Sequence, residues 1–171
     1  MKRLHRRWRK RTDQQLGLIL DGVQQPFNVG SILRSAAAYG VRDLWLVPPT
    51  ADPGDKKVQI TAKGCDRFLH LHTAPDGSAA AEVARAAGYR VVAIELVEGA
   101  APIFETDLSQ GPVALVLGHE ERGVHRRTLE SADATAFLPL TGQIGSLNVG
   151  HTATAVLAEV RRQGWVAADS R

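Results

Sequence analysis

The tripeptide Asn-Val-Gly occurs twice, at 28–30 and 148–150, each time opening an alanine-containing helical segment. Asn28 and Asn148 both suit an N-cap, whose side-chain oxygen accepts from a backbone N–H of the first turn. Within PFNVGSILRSAAAYG, residues 26–40, Arg34 shares a helical stripe with Gly30, Ala37 and Ala38, a small-residue surface against which another group can pack closely. GHEERG, residues 118–123, has the two glycines of a phosphate-binding loop without its lysine, and the Gly-x-Gly-x-x-Gly dinucleotide fingerprint is missing. GQIGSLNVG, residues 142–150, presents Ser146 without the preceding strand that a nucleophile elbow requires, which argues against acyl transfer. His70 and His72 alternate on a short strand with only Cys65 nearby, a poor zinc set, and no metal is expected.

These residues need a scaffold, and the chain alternates strand-like and helix-like segments. LGLILD (16–21) and DLWLV (43–47) are short apolar runs, and the helix between them closes at Gly40, a suitable C-cap. Residues 55–63 predict a short helix, 67–74 a brief strand, 78–88 a helix, 89–96 a strand, 111–118 a buried strand, 124–132 a short helix and 135–140 another strand. The last helix is expected from near Leu147 to about Gln163, with Val156, Leu157 and Val160 on its apolar side and Glu159, Arg161 and Arg162 on its wet side. Near-continuous apolar strands joined by helices predict an α/β fold, a mostly parallel sheet with helices on both faces. Ligands of such sheets bind beyond the carboxyl ends of the strands, and the loops after Asp21, Leu117 and Leu140 meet there.

A chain of 171 residues is long enough for one domain with a full core. Aromatic residues make up only 5%, which argues against a stacking platform for exposed bases. Residues 1–11, MKRLHRRWRKR, hold seven of the 21 Lys and Arg and no acid, so the remainder of the chain is net acidic. A basic arm on an acidic body fits a polyanionic partner held through phosphates, and Trp8 within the arm adds a contact group. The start lacks a signal-peptide pattern, no stretch has membrane-spanning length, and a single Cys65 forbids an internal disulfide, so a cytoplasmic location is expected.

Three stretches, in order, resemble the motifs of the SpoU (TrmH-like) branch of the SPOUT methyltransferases. NVGSILR matches N-x-G-x-x-x-R through Asn28, Gly30 and Arg34; LVLGHEERGV matches a strand ending in G-x-E-x-x-G through Gly118, Glu120 and Gly123; LPLTGQIGSLNVG matches a strand and glycine loop leading into S-L-N-V. The resemblance runs from about residue 16 to 163, leaving 1–15 as a basic arm and 164–171 as a tail. Gly150 and His151 depart from the family, where a small polar and an aliphatic residue are common, and His151 would influence the pH dependence.

The resemblance implies a C-terminal trefoil knot, S-adenosylmethionine as methyl donor, RNA as substrate, methylation of a ribose 2′-hydroxyl, and a homodimer with active sites at the interface. It favours tRNA over ribosomal RNA. It places the cofactor against Ile94, Gly118, Leu138, Leu140, Ser146 and Leu147, and it makes the small-residue stripe a close-packed face. It assigns Arg34 to the chemical step, with Asn28, Glu120, Ser146 and Asn148 building the pocket and Glu120 as the natural partner of an arginine. The proton acceptor is then either Arg34, as the family is usually described, or an RNA phosphate that Arg34 clamps; a permanently charged guanidinium has no acceptor atom, which favours the phosphate. The alternative reading is a non-catalytic RNA-binding module on the same scaffold.

Overall fold

The computed structural model of the chain describes residues 2–9 and 11–170; Met1 and Lys10 of the basic arm and Arg171 of the expected tail lie outside the described residues. Seven strands form one sheet: β1 (Leu16–Asp21), β2 (Val41–Val47), β3 (His70–Thr73), β4 (Arg90–Ile94), β5 (Ala101–Pro102), β6 (Val113–Gly118) and β7 (Ala134–Phe137). Their spatial order is β3-β2-β1-β6-β4-β7-β5, and every pairing is parallel. All six residues of β1 and of β6 are buried, as apolar runs covered on both faces must be.

Alternation along β1 divides the core. Leu16, Leu18 and Leu20 face the helices α2 (Pro26–Tyr39), α3 (Lys56–Ala62) and α6 (Val149–Asp169), where Ile32, Leu33, Val58 and Leu157 are fully buried. Ile19 faces the other layer, α4 (Gly77–Ala86) and α5 (Arg126–Ser131), with Trp45, Ala80, Ala84 and Val116. Each fully buried leucine contributes about 1.5–3 kcal/mol of transfer free energy. Gly17 points to this second face, where a Cβ would lie 3.0 Å from the Trp45 ring, so its lack of a side chain makes room for the indole.

The expected elements are present with shifted ends. The strand expected over 67–74 begins only at His70, because Cys65–Phe68 forms a 3-10 turn. The strand expected to reach 140 stops at Phe137, and the two-residue β5 beside it was not anticipated. Gly40 closes α2 in the left-handed region, φ 69°, its N–H bonded to the carbonyls of Ala36 and Ala37.

The last helix departs most from expectation, for it continues to Asp169 across residues read as a tail. Its supposed wet side is also wrong: Glu159 and Arg161 are buried, 7% and 8% exposed, and only Arg162 is outside. Arg161 donates to the carbonyls of Tyr39 (2.7 Å), Gln14 (2.7 Å) and Gly40 (3.0 Å), so its guanidinium caps the orphan carbonyls at the end of α2. Glu159 accepts from Arg162 and from Gln163 at 2.7–2.9 Å. Polar ends that find such partners can be buried on a face that periodicity assigns to solvent.

Gly30 is the close-packed member of the small-residue stripe, and its neighbour is α3 of the same chain. A Cβ there would collide with the Val58 carbonyl and lie 2.9 Å from Thr61 Cβ, so Gly30 serves the packing of α2 on α3 within this chain, while Ala37 is half-buried and Ala38 exposed. The basic arm contributes α1 (Lys2–Arg9), which rests on the end of α6: the rings of Trp8 and Trp165 are 4.7 Å apart, Arg11 stacks 4.3 Å over Trp8, and Arg11 pairs with Asp169. Among the described residues no helix is long and apolar enough to cross a membrane.

Candidate active site

The carboxyl ends of β1, β4, β6 and β7 lie side by side, so the loops that follow them meet at one edge. There a cavity of about 520 Å³ is lined by Ile94, Leu117, Gly118, Leu138, Leu140 and Leu147, with Glu120, Ser146 and Asn148 at its rim. Every residue assigned to the cofactor thus lies in this lining.

Three motifs are tied together by side chains. Glu120 accepts from Asn28 Nδ2 at 2.9 Å and from the backbone N–H groups of Gln25 (2.9 Å) and Gln24 (3.2 Å), while Asn148 Nδ2 donates to Asn28 Oδ1 at 2.8 Å. The arrangement revises two expectations. Asn28 is not an N-cap, because Pro26 already opens α2 and Asn28 lies in the first turn; Asn148 does cap α6, accepting from Gly150 N at 2.9 Å. Glu120 is not partnered by Arg34: its oxygens are taken by Asn28 and by N–H groups at the positive end of α2, where a carboxylate is favoured. Burial works against ionisation of Glu120, but the Asn28 side chain and the N–H groups of Gln25, Glu120 and Gln24 outweigh it, holding the carboxyl below its ordinary value.

Arg34 is exposed on α2 and lies outside the lining of the cavity. The glycines need separate accounts. Gly118 is required by the chain itself, since a Cβ there would collide with the backbone of Gly123 and Val124. At Gly142 and Gly145 a Cβ would meet nothing within 4 Å, so no contact within this chain excludes a side chain there.

Sequence reasoning missed several groups that shape the site. Thr50 Oγ1 accepts from Gly22 N (3.2 Å) and Val23 N (3.1 Å) and donates to Leu20 O (2.9 Å), fixing the loop that presents Gln24 and Gln25 to Glu120. His119 Nδ1 accepts from Glu121 N at 3.0 Å and lines the cavity with Glu95. A polar residue immediately past an apolar strand is the only signal the sequence holds for Glu95, and the Pro-Pro-Thr turn the only one for Thr50.

These residues fit S-adenosylmethionine. The volume lies in the range of small-molecule sites, the leucines and Ile94 offer apolar walls for a purine, and Glu120 and Glu121 bring anionic groups to a cavity suited to a cation.

Comparison with known proteins agrees. The sequence profile of the SpoU rRNA Methylase family matches residues 15–158. The tRNA (guanosine(18)-2′-O)-methyltransferase of Thermus thermophilus is 32% identical over 90% of this chain and 78% of its own length. The 23S rRNA (guanosine-2′-O-)-methyltransferase RlmB of Coxiella burnetii is 37% identical over 91% of this chain but only 61% of its own length. The crystal structure of the SpoU methyltransferase AviRb from Streptomyces viridochromogenes in complex with AdoMet superposes with a TM-score of 0.78 at 32% identity, covering 89% of this chain and 58% of that one. A cavity built from the ends of parallel strands, lined by the second and third motifs, tied through Asn28 to the first and matched by these relatives, makes this chain a member of the SpoU family of S-adenosylmethionine-dependent RNA ribose 2′-O-methyltransferases.

Proposed function

We propose that this chain methylates a ribose 2′-hydroxyl of tRNA as a homodimer with its active sites at the subunit interface. The observation that carries the reading is the hydrogen-bonded series Glu120–Asn28–Asn148, which gathers three distant motifs around one cavity. Similarity to the Thermus tRNA enzyme supports tRNA, and the basic arm on the end of α6 supplies phosphate contacts that weaken with salt. Phe27, 55% exposed, and Ile144, 68% exposed, stand beside the Asn28 and Ser146 motifs as apolar surface for a second copy. Arg34, outside its own cavity, is available to the partner's site. A trefoil knot is supported by β7 lying between β4 and β5 and by the 138–148 segment passing from β7 to Asn28.

Ile94, Gly118, Leu138, Leu140, Ser146 and Leu147 would hold the cofactor, which supplies an electrophilic methyl group on a sulfonium. Arg34 clamps a substrate phosphate and steers the hydroxyl; since guanidinium has no acceptor atom, the clamped phosphate takes the 2′-hydroxyl proton. Ser146 and Asn148, exposed at the rim, orient the ribose, and Glu120 keeps Asn28 turned toward Asn148.

Incubation with labelled cofactor and separate tRNA and rRNA pools, followed by nucleoside mass spectrometry, tests this. A labelled 2′-O-methyl nucleoside from tRNA is expected; label in rRNA alone would reverse the substrate choice, and label in neither would overturn the reading. For the dimer, the impaired Arg34→Ala and Asn148→Asp proteins are mixed, and activity above their own residual rates is measured. Sites shared between subunits would restore about a quarter of wild-type activity, whereas sites within one subunit would restore none.

A further inference from the structure

The loop carrying Glu120 is held from both sides by carboxylates that the motifs do not include. β6 lies between β1 and β4 in the sheet, and each neighbour ends in an acid: Asp21 is the last residue of β1, and Glu95 follows the last residue of β4. After Gly123 the chain presents two consecutive N–H groups, and the acids take one each. Glu95 Oε2 accepts from Val124 N at 2.8 Å, and Asp21 Oδ2 accepts from His125 N at 2.9 Å. Asp21 is only 7% exposed, and Val124 is 5% exposed, so each bond has one partner sheltered from competing water.

The loop turns at Gly123 and closes on itself. Gly123 has φ 68°, a left-handed conformation, and a Cβ on it would collide with Glu95 Oε2. His119 and Gly123 pair across the turn through reciprocal N–H to carbonyl bonds of 2.9 Å, so Glu120, Glu121 and Arg122 form a closed tip whose base is set by the two carboxylates. Glu120 projects from that tip to Asn28 and to the start of α2.

We infer that Asp21 and Glu95 are positioning residues for methyl transfer, a two-sided clamp on the Val124 and His125 amides that fixes the reach of Glu120 to Asn28. The inference rests on the methyltransferase reading for its kinetic consequence, but the clamp itself is measurable without any substrate. Hydrogen exchange of the intact protein reads it directly: Asp21→Ala and Glu95→Ala should each speed exchange across residues 119–125 by at least about tenfold while exchange in β1 and β6 stays slow. Unchanged exchange at 119–125 would overturn the clamp.

The kinetic arm follows methylation by the same variants. Each alanine variant should lower kcat by about tenfold or more, because displacement of a catalytic loop by an ångström is enough for such a loss. On a Glu120→Ala background the same substitutions should cost less than about twofold, since their effect passes through Glu120. Asp21→Asn and Glu95→Gln keep an acceptor oxygen and should recover most of the loss and the exchange protection. Amide variants as impaired as the alanine ones, or full additivity with Glu120→Ala, would overturn the inference, and this holds even where an alanine variant folds poorly. A wild-type protein with normal protection but no methylation would sink the methyltransferase reading and leave the clamp standing.

Discussion

Asn148 donates a 2.8 Å hydrogen bond to the side chain of Asn28, a residue 120 positions earlier in the chain. One side chain thereby does two things, for its oxygen also caps α6 through Gly150 N while its amide nitrogen reaches the start of α2.

The two roles of Asn148 separate by substitution. Asn148→Asp keeps the cap oxygen and replaces the donor with an acceptor facing Asn28 Oδ1, so thermal stability should stay close to wild type while methylation falls at least about tenfold. Asn148→Ala should lose the cap as well, about 1 kcal/mol in chemical denaturation.

Arg34 is exposed, so its removal should leave folding within about 0.5 kcal/mol. Arg34→Ala is expected to bind S-adenosylmethionine normally by calorimetry yet lose about a hundredfold or more in single-turnover methylation. A near wild-type rate would remove it from the mechanism.

Glu120 links stability to pH. Its folded pKa lies below the ordinary value, so ionisation favours the folded state; the contribution is full above the unfolded pKa, about 4.3, and disappears as pH falls through the lower folded value. Glu120→Gln should therefore be less stable than wild type in urea at pH 7, with the difference closing as the pH drops below about 4.

Arg161 satisfies three backbone carbonyls from a buried position. Burial pulls its pKa down from the usual guanidinium value, but the carbonyl partners favour the charged form. Arg161→Met should destabilise by about 2–4 kcal/mol in equilibrium unfolding, because the end of α2 is left without donors. Lysine should recover only part, having no planar fork to span Tyr39, Gly40 and Gln14.

Gly30→Ala tests the packing of α2 on α3. A Cβ aimed at the Val58 carbonyl should cost about 1–3 kcal/mol of stability, visible as a lower denaturation midpoint, despite the higher helix propensity of alanine.

Strand and helix types were legible because short apolar runs such as LGLILD and VALVLG suit buried central strands, and α2 announces its end through Gly40, whereas it starts at Pro26, ahead of the Asn28 cap that the sequence offered. The loops around Asn28, Glu120 and Ser146 were legible as a set, since their residue types and order point to one sheet edge. What the sequence did not disclose were partners. Periodicity counted Arg161 and Glu159 as solvent-facing, because it knows nothing of carbonyls 121 and more positions away that reward burial of a guanidinium. It offered Arg34 to Glu120, yet folding put Asn28 and two backbone N–H groups closer to that carboxylate.

The sequence by itself determined the parallel α/β layering, which depends on side-chain type and local spacing, and its resemblance to the SpoU motifs picked out the motif residues. Only tertiary structure decided that Asn28 bridges Glu120 and Asn148, that Gly30 belongs to packing inside the chain, and that Asp21 and Glu95 brace the Glu120 loop. Hydrogen bonds between distant segments depend on angle and distance, and these are fixed only when the sheet brings its strand ends into register.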